Sequence, residues 1–172
     1  MNSKKIVLSG LFVALGIILP IMFHTVNLAG TIFLPMHIPV LISGFLLGPL
    51  YGGLVGLLTP ILSGFMTGMP PVVPVMPIMV FELIGYGIIS GILFKKTNKV
   101  SISLIGAMIV GRLFGLVGAY IVSMTIAPQV NPFMFMFGNV AQTTPGLLIQ
   151  LIFIPILIKS LYKNPEISKT IA

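Results

Sequence analysis

The stretch KKIVLSGLFVALGIILPIMF, residues 4–23, decides the fold class. After Lys4 and Lys5, the run from Ile6 to Phe23 carries a single polar side chain, Ser9. A helix made of it has no polar face, and the run lacks the apolar–polar alternation of a membrane β-strand. About 20 such residues cross a bilayer, so the run reads as a membrane span. A basic start followed by an apolar run is also how a signal peptide begins. No small-x-small cleavage signature follows promptly and the run is long, so an uncleaved span is expected.

The rest of the chain has the same character. Of 172 residues, 57% are apolar and 6% are charged, against about 25% charged in a soluble domain. Mean hydropathy is +1.18. A water-soluble globule would lack polar cover, and a disordered chain needs low hydrophobicity. Six spans of about 20 residues use about 120, which leaves ends and loops only. Residues 1–172 are therefore read as a single membrane domain, an all-α bundle of six transmembrane helices.

The spans are expected at 5–23, 36–47, 54–67, 76–94, 101–126 and 133–158. Gly48, Pro49, Gly52 and Gly53 are read as a tight turn between the second and third. Those two spans are short, which predicts tilt, bilayer adjustment or a kinked helical pair. The stretch GMPPVVPV, residues 68–75, is a loop, because its prolines remove donors and restrict their neighbours.

Charge orients the bundle. With an even number of crossings, Lys4, Lys5, Lys95, Lys96, Lys99, Lys159, Lys163 and Lys169 all fall on one side. The loops at 24–35, 68–75 and 127–132 carry no lysine or arginine. The positive-inside rule makes the lysine side cytoplasmic, with both termini there. It accounts for every basic residue but Arg112 without a ligand, so the net charge of +7 calls for no nucleic-acid partner.

There is no cysteine and no aspartate, and the acids are Glu82 and Glu166. Thiolate metal sites, cysteine nucleophiles and an aspartate for Mg²⁺ are excluded, and no phosphate-binding G-x-x-x-x-G-K-[ST] loop occurs. No metal and no cofactor is expected. Uphill transport would draw its energy from another chain.

Two charges stand inside spans. Arg112 lies near mid-membrane at about 1.5 Å per residue, where a lone charge costs a few kcal/mol. Glu82 lies about two turns into the antiparallel fourth span. They either face a polar cavity and contact solute, or form a buried pair that sets helix packing; part of the pair exchanging with solute reconciles the two. Glu82, Tyr86 and Ser90 repeat every four residues, as do Thr59, Ser63 and Thr67. Asn139, Gln142, Thr143 and Gln150 share one helical stripe. The hydroxyls suit interhelical or own-backbone hydrogen bonds. The amides of Asn139 and Gln142, with an arginine and a glutamate at similar depth, suit a small-molecule site opening outward. His24 and His37 flank the first outer loop; interfacial placement and ligand or lid contact are both open. Small residues recur at spacing four, as in Gly10/Ala14, Gly44/Gly48, Gly52/Gly56, Gly87/Gly91 and Gly111/Gly115, and let helices approach closely.

Over nearly its whole length the sequence resembles the substrate-binding S components of energy-coupling factor (ECF) transporters. The resemblance rests on KKIVLSGLFVALGIILP with its Gly10/Ala14 patch and on FELIGYGIISGILFKK. Its most specific part is FLPMHIPVLISGFLLGPLYGGLVGLLTPILSGFMTGMPP, residues 33–71. It implies a six-helix, multi-pass protein of the bacterial cell membrane that binds a vitamin or precursor from outside and is not an enzyme. It implies a lid over the site from loop 24–35, assigned to His24 and Asn27 with His37. It implies solute contacts from Glu82, Tyr86, Arg112, Asn139, Gln142 and Thr143. Gly10 and Ala14 would dock on a membrane scaffold (T) subunit carrying two ATPases, after which the S component topples and releases solute inward. Gly10 stands where alanine is usual, which keeps that face small. Pantothenate, pyridoxine-like compounds and pyrimidine precursors fit the polar inventory. A stand-alone secondary transporter or channel is the alternative. It would couple ions through Glu82 or Arg112 and usually show two related halves, and no internal repeat is evident.

Overall fold

The computed structural model describes residues 3–24, 32–138 and 140–163, with side chains at 3–23, 32–138 and 143–163. All regular structure among them is helical: α1 (Ser3–His24), α2 (His37–Leu47), α3 (Pro49–Thr67), α4 (Val75–Thr97), α5 (Val100–Thr125), α6 (Pro132–Phe137) and α7 (Val140–Lys163). Five helices are long and apolar enough to cross a membrane, namely α1, α3, α4, α5 and α7. Helix α2 is equally apolar but has only 11 residues, about half the length a hydrocarbon core requires.

Two expected boundaries are corrected. The turn after α2 is one residue, Gly48, at φ 92°, a value that L side chains rarely adopt. Pro49 then opens α3, and Gly52 and Gly53 are helical. Proline fits a first helical turn because its missing N–H has no partner there anyway. The last expected span, 133–158, is two helices: α6 ends at Phe137 and α7 runs on to Lys163. Asn131 starts α6 by accepting a hydrogen bond from the Met134 amide through its side chain at 3.0 Å.

Helix α4 is the axis, packed on α2, α3 and α5; α1 lies against α2 and α3, and α7 touches α5 and α2 more sparsely. The small residues explain the closeness. A Cβ at Gly52 would lie 2.7 Å from the Gly44 Cα and 2.9 Å from the Gly87 carbonyl carbon. Residues 44 and 52 are therefore neighbours across Gly48, so the chain folds back there and does not continue as a kinked helix. A Cβ at Gly56 would meet the Leu83 carbonyl carbon at 2.5 Å. Three helices thus touch backbone to backbone.

The hydroxyl residues serve this frame. Thr59 donates to the Val55 carbonyl in its own helix. Ser63 donates to the Met69 carbonyl at 2.6 Å and holds the chain beyond α3. Ser90 donates to Gly87 and, across helices, to Leu41 at 3.4 Å. Gln150, 1% exposed, donates to the carbonyls of Phe33 and Leu34 at 3.5 and 3.4 Å, tying α7 to the approach to α2.

Candidate functional site

One carboxylate oxygen collects side chains from three helices. The four-residue spacing on α4 stacks Tyr86 beside Glu82, and the Tyr86 hydroxyl donates to Glu82 Oε1 at 3.0 Å. Arg112, midway along α5, brings Nη1 to 3.4 Å from the same oxygen and donates from it to the Met136 carbonyl at 3.5 Å. His37, the first residue of α2, sets Nε2 3.8 Å from Oε1. Its ring stands edge-on to Tyr86, with centroids 5.3 Å apart.

Two glycines of α5 make room for this cluster. A Cβ at Gly111 would lie against the Tyr86 ring, 2.6 Å from its Cε1, and one at Gly115 would lie 3.1 Å from the Glu82 Cβ. The Gly111/Gly115 pair is therefore a recess for the polar stripe of α4. Without it, Arg112 would stand off by a side-chain thickness.

Burial makes the arrangement consequential. Glu82 is 5% and His37 4% exposed, whereas the Arg112 side chain keeps 20%. An arginine in mid-membrane costs a few kcal/mol alone, and the Glu82 carboxylate offsets that. His37 is not satisfied in the same way: among the described residues neither ring nitrogen has a hydrogen-bond partner. Leaving a buried polar group so costs about 1–3 kcal/mol, and such groups in native proteins usually have a reason.

Cavities flank the cluster on two sides. One of about 240 Å³ is lined by His37 with Pro20, Met36, Met69, Pro70 and Met79. The other, about 370 Å³, is lined by Arg112 and Tyr86 with Met108, Phe137, Leu147 and Leu151. Both walls are apolar, with polar groups only where they meet the cluster. That is the usual chemistry of a small-molecule site, in which a few placed polar groups orient a ligand within an apolar shell.

Of the residues expected at the site, Glu82, Tyr86 and Arg112 come together. Thr143 lies near the start of α7 and is partly buried. Asn27 and Asn139 lie outside the described residues, as do the side chains of His24 and Gln142. His37, grouped by sequence with the lid, starts α2 and is buried against Glu82. Gly10 and Ala14 both lie on the outward face of α1, and no atom comes within 4 Å of a Cβ placed at Gly10. Sequence reasoning missed the His37–Glu82 approach, because the residues lie far apart in the chain. It also missed the Met136 carbonyl, which no side-chain pattern announces.

The family model of the ECF transporter substrate-specific component matches residues 4–167. The chain belongs to that family, as a substrate-specific subunit and multi-pass membrane protein whose partners are an ECF T subunit and its ATPases. No curated protein and no solved structure matches it.

Proposed function

We propose that this chain is the non-catalytic solute receptor of a bacterial vitamin-uptake ECF transporter, and that Glu82, Tyr86, Arg112 and His37 contact the solute. The observation that carries the reading is the Glu82 carboxylate held by three helices between two cavities, with an imidazole 3.8 Å from it that makes no hydrogen bond among the described residues. Arg112 takes a carboxylate or phosphate through its paired donors. Glu82 and His37 take a hydroxylated or cationic group. Asn139, Gln142 and Thr143 complete the contacts, and His24 and Asn27 belong to the lid. Pantothenate, pyridoxine-like compounds and pyrimidine precursors are the candidate solutes.

The chain forms one membrane domain over 1–172 that crosses the cell membrane six times, with α2 as the short second crossing and both termini cytoplasmic. Support comes from one cavity lined by Lys5 in α1, Leu47 and Gly48 at the end of α2, Lys95 in α4, Val100 in α5 and Lys159 in α7. The outward Gly10/Ala14 strip docks on the T subunit, whose two ATPases supply the energy; the receptor then topples to release solute.

Mass spectrometry of small molecules co-purified with the solubilised chain, followed by calorimetry with the compound found, tests the reading. One vitamin-like solute at near-stoichiometric amount is expected. Solute uptake by the chain alone in vesicles, with no ATPase partner, would instead establish the secondary-transporter alternative.

A further inference from the structure

Among the described residues, the cavity with the most lysines is remote from the Glu82 cluster. Four lysines, Lys5, Lys95, Lys99 and Lys159, line a single cavity of about 830 Å³. They come from four different helix ends, so the cavity exists only in the folded bundle. Glu82 is the one acid among the described residues, and its partners are His37, Tyr86 and Arg112. The lysines therefore have no carboxylate among the described residues to neutralise them.

The walls below the lysines are different. Phe45, Leu47, Phe94 and Ile102 line the same cavity. A basic rim over an apolar wall at a helix-bundle end suits an amphiphile and not a free ion. Positive-inside bias alone would scatter lysines around the rim. Here, among the described lysines, Lys4, Lys96 and Lys163 stay outside the cavity while four others converge on it. Basic pockets between membrane helices are recognised sites for lipid phosphate.

We propose that this cavity binds the phosphate headgroup of an anionic phospholipid, with the first part of an acyl chain against Phe45 and Phe94. The proposal does not depend on which solute the Glu82 cluster takes. The shared ligand chemistry is a phosphate ester, and the apolar wall selects the lipid as its source.

The test uses the full chain in nanodiscs of phosphatidylcholine containing phosphatidylglycerol, extracted gently and examined by native mass spectrometry. Wild type is compared with K95A/K99A, which removes two cavity lysines, and with K96A/K163A, which removes the same charge outside it. Thermal unfolding checks that each variant is folded. The expected result is one retained phosphatidylglycerol on wild type, held about thirty-fold more weakly in K95A/K99A at about 1 kcal/mol per lysine and unchanged in K96A/K163A. Equal loss in both variants, or no retained lipid on wild type, would show diffuse surface attraction and overturn the site. Titration with inorganic phosphate is the second arm. Displacement of the lipid by millimolar phosphate would make the free anion the ligand and overturn the lipid assignment.

Discussion

Arg112 and Glu82 are coupled tightly enough that neither can be removed cheaply. Breaking a buried pair by deleting one partner costs about 3–5 kcal/mol, because it strands the other charge. Arg112→Ala alone should lower thermal stability by that order, and Arg112→Ala with Glu82→Gln should recover much of it. Solute affinity separates packing from recognition. The double variant is expected to stay folded and lose binding by ten-fold or more, as removal of a charged contact worth about 1.5–3 kcal/mol implies. Retained affinity in that variant would reduce the pair to a packing device. His37 gives a complementary test. Because its ring nitrogens make no hydrogen bond among the described residues, His37→Phe removes a buried polar ring while keeping ring volume. It should leave stability unchanged or raised, and weaken solute binding measured by calorimetry.

At the scale of helices, the glycines divide into two kinds that sequence spacing does not distinguish. Gly52 and Gly87 meet across a backbone contact with no space for a side chain, whereas Gly10 faces outward with nothing near it. Gly87→Leu should therefore destabilise the bundle by more than the roughly 1–3 kcal/mol of ordinary overpacking, since backbone must move. Gly10→Leu with Ala14→Leu should leave the unfolding temperature and solute affinity intact and abolish uptake with the ECF partners. Thermal unfolding and a vesicle uptake assay separate the two kinds. The hairpin at Gly48 belongs to the same scale. Spacing alone allowed a kinked continuous pair, and the contact between residues 44 and 52 decided for a reversal.

For the whole molecule, the sparse contact of α7 with the bundle matters most. Its first half is tied by Gln150, whose amide bonds to the backbone before α2, and by Gly146, where a Cβ would lie 2.8 Å from Phe33 backbone atoms, while farther along Tyr162 donates to the Phe45 carbonyl at 3.3 Å. The first two ties join α7 to the residues just before α2, so movement of that segment and of α7 should be linked. Gln150→Leu is predicted to leave the other helices folded and to raise backbone amide exchange in α7 and around residues 32–37 together. Exchange increased at only one of the two would refute the linkage. Reporter fusions at each end check the proposed topology, with both expected to report the cytoplasm.

Much of this protein is legible in its sequence. Apolar runs of membrane length require helices, because backbone groups in lipid have no water to bond, and the lysines mark one end. The intramembrane Glu82 and Arg112 announce themselves by their cost, and Tyr86 follows from helical spacing. Other features depend on which distant residues meet. His37 looked like a loop residue until its approach to Glu82 was seen, and Gly111 and Gly115 looked like helix contacts until they proved to be the recess for Tyr86 and Glu82. The one-residue reversal at Gly48, the break after Phe137 and the convergence of four lysines on one cavity were likewise decided by tertiary structure. Solvent preference is local and can be read along the chain, whereas the partner of a buried polar group is set by packing across helices, which no single segment encodes.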